Sequence, residues 1–148
     1  MYESYSKQSL PSRKYRELLG TALCVFNSNN SFVIENILKN DKSSKYNWYE
    51  LIDKTSGALS EPIKQTITEN SNTDIAKCFN NLVEHRNRIM HSFQVTAEEK
   101  MSILDNDRQV LATKYKNGKQ EIITEDFLMK FIELNDTLSS KLHKFRGY

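Results

Sequence analysis

The chain has little of what usually announces a compartment or a cofactor. It carries only two cysteines, Cys24 and Cys78, far apart and in apolar stretches. That excludes a disulfide framework and a CxxC-type zinc or redox site, and makes buried, reduced thiols the expectation. Four glycines and two prolines among 148 residues are too few for a collagen-like, low-complexity or turn-rich all-β chain. No apolar run approaches the ~20 residues needed to span a bilayer, and the first ten residues lack the apolar stretch of a secretory signal. A cytoplasmic protein without membrane contact is therefore expected. Charge of one sign is also missing. The formal net charge is +2, which excludes a strongly basic coat for nucleic acid.

What is present is enough for one packed domain. Hydrophobic residues at 38% against 27% charged place the chain outside the disordered class, and its length suits a single core. We read one domain over residues 1–148, with residues 1–11 expected to fray.

Apolar residues recur mostly at helical spacing. A first helix starts at Ser12 and carries Tyr15, Leu18, Leu19, Ala22, Leu23 and Phe26. The Asn-rich stretch 27–30 is expected to break it, with Ser31 capping a second short helix through Leu38. Residues 41–47 read as a loop. Trp48 towards Leu59 reads as a weaker helix, and Ser60 with Pro62 opens a short fourth one. After a polar break at 70–73, the clearest helix runs from Asp74 to about Phe93. Thr96 and Glu99 form a capping-box pair ahead of Met101, Ile103 and Leu104. The period then changes. Two short alternating runs flank Asn117 and Gly118, the strongest local signal for a β-hairpin, here over about residues 109–124. Thr124, Glu125 and Asp126 start a last helix with Phe127, Phe131, Leu134, Leu138, Leu142 and Phe145 on one face. The fold class is mainly α: an antiparallel helical bundle with one hairpin before the C-terminal helix.

One segment breaks the amphipathic design. Residues 84–93 hold two of the six arginines and two of the three histidines. On a wheel of about 100° per residue, Ile75, Phe79, Leu82, Val83, Ile89, Met90 and Phe93 share an arc. Arg86 falls near its middle. Asn87 and His91 are neighbours at its edge, while Arg88 and Glu84 point away. A guanidinium on a buried stripe costs several kcal/mol unless it is paired or hydrated. It must snorkel, meet a carboxylate such as Glu35 or Glu50, or face a site. A permanently charged fork suits a phosphate, a histidine suits proton transfer, and an amide orients either. In a chain with six Arg and three His, an Arg-x4-His pair alone is a frequent accident; an Asn directly after the Arg makes it rare.

Arg86, Asn87, Arg88, Ile89, Met90 and His91 in succession resemble the R-x4-6-H motif of HEPN-domain ribonucleases. In that family the residue after Arg is commonly Asn, Asp or His. The apolar flanks Leu82 and Val83, the chain length and the bundle fit as well. The resemblance is specific over about ten residues and architectural elsewhere. It implies a HEPN-like fold and a metal-independent endoribonuclease with no cofactor and no metal ligand. The RNA 2′-hydroxyl would attack the adjacent phosphate, leaving a 2′,3′-cyclic phosphate and a 5′-hydroxyl. Arg86 would hold the scissile phosphate, His91 would move protons, and Asn87 would position one of them or the RNA. The family's sites are usually composite across a dimer, so a homodimer is implied. Members include toxins and abortive-infection proteins, which implies a toxin or phage-defence role and a possible antitoxin or regulatory partner. Some toxins carry His-x-Tyr with a modifiable Tyr; here Phe93 takes that place, which removes this route of control. The other reading is a non-catalytic HEPN-like adaptor that binds RNA, nucleotide or a protein.

Weaker RNA contacts are Arg88, His85, Lys144 and Arg146. Each has an ordinary alternative: a solvated charge, a surface histidine, or cations favoured at a helix C-terminus. Tyr46, Trp48 and Tyr49 are expected to pack in the core rather than to stack on bases.

Overall fold

The computed structural model describes residues 2–97 and 109–147. The Ser12 hydroxyl accepts from the Tyr15 N–H and opens α1, a single helix over Arg13–Lys39. The break expected at residues 27–30 does not occur. Asn29 is buried, and its amide donates to the Asn135 carbonyl at 2.8 Å and to Asn135 Oδ1 at 3.0 Å. Asn30 Oδ1 accepts from the Ser56 hydroxyl at 2.9 Å. Asn loses only part of a kcal/mol of helix propensity, and distant partners satisfy both amides.

The chain then forms α2 (Trp48–Asp53), a 3₁₀ turn (Ser56–Leu59), α3 (Ser60–Ile63) and a π-helical turn (Lys64–Thr68). Trp48 and Tyr46 pack against the core, whereas Tyr49 is exposed, contrary to the expectation for it. Thr66, Asn70 and Ser71 each donate a side-chain hydrogen bond to the carbonyl four residues earlier. Such back-bonding competes with the ladder and ends the segment. The next helix, α4, spans Asp74–Met90.

Three antiparallel strands follow, β1 (Phe93–Thr96), β2 (Gln109–Lys114) and β3 (Gln120–Ile123), in that order across the sheet. The expected hairpin is β2–β3. Gly118, at φ 87°, completes a turn in which its N–H bonds to the Tyr115 carbonyl at 2.9 Å. This is a three-residue loop with glycine in the left-handed region. β1 replaces the end of the expected helix: the helical period predicts α4 to about Phe93, but α4 ends at Met90 with His91 as its cap. The Ser92 N–H and hydroxyl both bond to the Ile89 carbonyl, and Phe93 then pairs with Ala112 of β2. Of the capping pair, Thr96 ends β1; Glu99, Met101, Ile103 and Leu104 lie outside the described residues.

Thr124 caps α5 (Glu125–Arg146), and Gly147 at φ 93° closes it. Phe26, Phe79 and Phe131 are fully buried and stack at 6.1–6.2 Å, joining α1, α4 and α5. Contacts of Tyr15 with Ile123, Phe26 with Phe131, Asn29 with Asn135 and Glu35 with Arg146 run in the same order along α1 and along the segment from the end of β3 through α5. So α1 and α5 are parallel, and α4 runs antiparallel to them, with Asp74 against Lys141 and His85 against Phe127. Tyr15 ties the bundle to the sheet: its hydroxyl donates to the Ile123 carbonyl at 2.6 Å and accepts from the Leu111 N–H at 3.2 Å.

Residues 2–11, within the stretch expected to fray, hold no helix or strand. They are nonetheless tied to the body. Glu3 pairs with Arg13 at 3.0 Å and Arg16 at 2.6 Å, and the Gln94 amide donates to the Ser9 carbonyl at 2.6 Å. Among the described residues no helix is long and apolar enough to cross a membrane.

Candidate functional site

The last turn of α4 carries the three residues singled out in the sequence. Helical spacing puts Arg86 on the core-facing arc of α4, and in the structure it reaches Phe26 of α1. Its guanidinium carbon lies 5.6 Å from the centroid of Phe26, the ring that stacks with both Phe79 and Phe131. Nη1 donates to Asn87 Oδ1 at 3.3 Å. No carboxylate among the described residues pairs with it. The two anticipated partners are elsewhere: Glu35 faces Arg146 and Glu50 is exposed. Arg86 is half-buried, so its charge rests on an aromatic face and an amide, an arrangement worth roughly 0.5–2 kcal/mol, and it keeps donors to spare.

His91 caps the helix and is exposed. Its N–H bonds to the Asn87 carbonyl at 2.9 Å, so the Asn87 backbone holds His91 while its side chain holds Arg86. Met90 and Phe93, placed on the buried arc by the wheel, are 53% and 42% exposed and flank His91. The stripe therefore runs out of the core at this terminus, which leaves an apolar rim beside the polar trio.

The weaker candidates fall in other places. Arg88 does not point to solvent. Its side chain is 17% exposed, Nη1 donates to the Lys114 carbonyl at 2.9 Å, and the guanidinium lies 5.6 Å from the Tyr115 ring centroid. The wheel had no knowledge of the hairpin that covers that side. His85 turns towards α5: its ring is 5.8 Å from Phe127, and Nδ1 is 2.8 Å from the Asn81 carbonyl. Arg146 lies over Phe32 and pairs with Glu35 at 3.5 Å. Lys144 is exposed on the same terminus. Since His85 meets Phe127, that terminus stands roughly 25 Å along α5 from the Arg86 end, at 1.5 Å per residue.

Charges elsewhere are ordinary fasteners. Hydrogen bonds from Arg13 and Arg16 lower the Glu3 pKa from 4.5 to about 2. Lys141, 2.7 Å from Asp74, lowers that carboxyl. Burial raises the Cys78 thiol, while Cys24 is exposed, contrary to the expectation of two buried thiols; neither is bridged. Among the described residues no three His, Cys, Asp or Glu side chains gather as metal ligands.

Open cavities of about 420, 300 and 430 Å³ lie between the C-terminal halves of α1 and α5, at the end of α1, and between the start of α4 and the end of α5. None of these three is lined by Arg86, Asn87 or His91. Within one protomer, the trio stands on an open terminus. The chain matches no protein-family model, no curated protein and no solved structure.

Proposed function

We propose that the chain is a metal-independent endoribonuclease of the HEPN type, working as a homodimer in a toxin or phage-defence role. The observation that carries this reading is the pairing of Arg86 with Asn87, rather than with a carboxylate, one helical turn from His91. An un-neutralised fork and an exposed imidazole on one helix terminus suit a phosphodiester. The guanidinium binds the non-bridging oxygens and stabilises the charge that grows on them. The 2′-oxygen bonds to phosphorus as the bond to the 5′-oxygen breaks. The proton lost from the 2′-hydroxyl and the proton gained by the 5′-oxygen pass through imidazole. A second copy set on the exposed Met90 and Phe93 would bring two trios together across a two-fold axis and turn an open terminus into a cleft.

The test is incubation of purified protein with single-stranded RNA in EDTA. Wild type is expected to cleave, and His91→Ala to lose at least hundredfold in rate. Equal activity of the two proteins, or a strict need for Mg²⁺, would refute the proposal. RNA binding that weakens in Arg86→Ala, without cleavage by any form, would establish the adaptor reading instead.

A further inference from the structure

Arg88 lies two residues from Arg86, on the other side of α4, in contacts that RNA phosphate would have to displace. Its Nη1 is committed to the Lys114 carbonyl at the end of β2. Its plane rests on Tyr115, whose hydroxyl is bonded to Glu121 on β3. Nε faces Glu84 Oε1 at 3.6 Å, is buried, and has no hydrogen-bond partner. These contacts close a loop in the structure. From Arg88 the chain passes through His91 and Ser92 into β1. β1 pairs with β2, with Phe93 opposite Ala112. β2 ends at Lys114, which returns to Arg88. His91 stands at the corner of this loop. Among the described residues, its N–H bond to Asn87 and the Ser92 turn hold it on the helix side.

From this closure we infer that Arg88 is a positioning residue for His91, not an RNA contact: it clamps the hairpin to the last turn of α4 and so sets where the imidazole stands relative to Arg86. The inference rests on the ribonuclease reading for its consequence in catalysis, but the clamp is a property of the fold. Arginine is required because one group must both donate to a carbonyl and stack on Tyr115. A lysine ammonium could do the first but not the second. A corner residue released by even about 1 Å loses near-attack geometry, and such misplacement lowers turnover by tenfold to a hundredfold without touching substrate binding.

Two measurements on the full chain test this. Steady-state cleavage of single-stranded RNA is expected to show kcat at least tenfold lower in Arg88→Ala and Arg88→Lys, with KM within about twofold of wild type. The ring proton resonances of the three histidines give the second readout. That of His91 should shift or broaden in Arg88→Ala, while that of His143, at the far end of α5, stays in place. If Arg88→Ala does not fold, Tyr115→Leu removes the stacking surface and the Glu121 bond with less loss of packing, and it carries the same expectations. A raised KM with unchanged kcat would make Arg88 an RNA contact and overturn the inference, as would an unmoved His91 resonance. If wild type cleaves no RNA, the ribonuclease reading fails by itself, and the His91 resonance alone decides whether the clamp exists.

Discussion

Two arginines at opposite ends of the bundle use the same device and differ in one respect. Arg86 lies 5.6 Å over Phe26 and Arg146 lies 5.4 Å over Phe32, both rings carried by α1. Arg146 also meets the Glu35 carboxylate at 3.5 Å. Arg86 meets the neutral amide of Asn87. A guanidinium neutralised by its neighbour is a fastener between two helices. One that rests on a ring and an amide retains its charge and its donors for an anion from outside. The composition hides this difference, since both residues add the same unit to a net charge of +2. The potential for phosphate chemistry lies in the partner, not in the arginine count.

The largest expected effect is at Arg86. Arg86→Ala is expected to cut RNA cleavage by at least hundredfold, with only a small change in thermal midpoint, because the cation–π contact contributes about 1 kcal/mol or less when part-exposed. Arg86→Lys keeps the charge but loses the planar fork, and should recover only a minor part of the rate. At the other end, Arg146→Ala should leave cleavage within twofold and lower stability by about 1 kcal/mol or less, read from denaturant midpoints. A large loss of cleavage in Arg146→Ala would show that the C-terminal cations reach RNA after all.

The smallest effect concerns the N-terminal segment. The Glu3 carboxyl is held at about 2 against an ordinary 4.5 by Arg13 and Arg16. A depressed folded-state pKa means that the contribution of this pair is complete above pH ~4.5 and is lost as pH falls towards 2. The thermal midpoint of wild type minus that of Glu3→Gln should therefore shrink across that window and be flat above it. A difference that grows on acidification would contradict the assignment.

Much of the fold was legible because its signals are local. Ser12 and Thr124 cap helices where their sequence contexts say they should, and Asn117 with Gly118 turns the expected hairpin. The misreadings have distant causes. Asn29 and Asn30 look like a helix break until Asn135 and Ser56, far along the chain, satisfy them. Phe93 also keeps the helical spacing from Ile89, which hides the start of β1; the pairing with β2 decides for the strand. The parallel course of α1 and α5 leaves no mark on either helix.

The candidate site divides in the same way. The wheel placed Arg86 on the core side and Asn87 beside His91 because all three belong to one helix terminus. It misplaced Arg88 because the hairpin that receives it begins two dozen residues later. The exposure of Met90 and Phe93 was also beyond its reach, since a period reports which residues share a face and not where that face leaves the core.

Cleavage of RNA through its own 2′-hydroxyl by Arg86, Asn87 and His91 would leave its mark on the fragment ends. The most direct measurement is mass analysis of the fragment ends released from single-stranded RNA in EDTA by wild type and by His91→Ala. Wild type is expected to release 2′,3′-cyclic phosphate and 5′-hydroxyl ends, and the variant no fragments above background. Fragments ending in 3′-hydroxyl and 5′-phosphate, or identical fragments from both proteins, would contradict it.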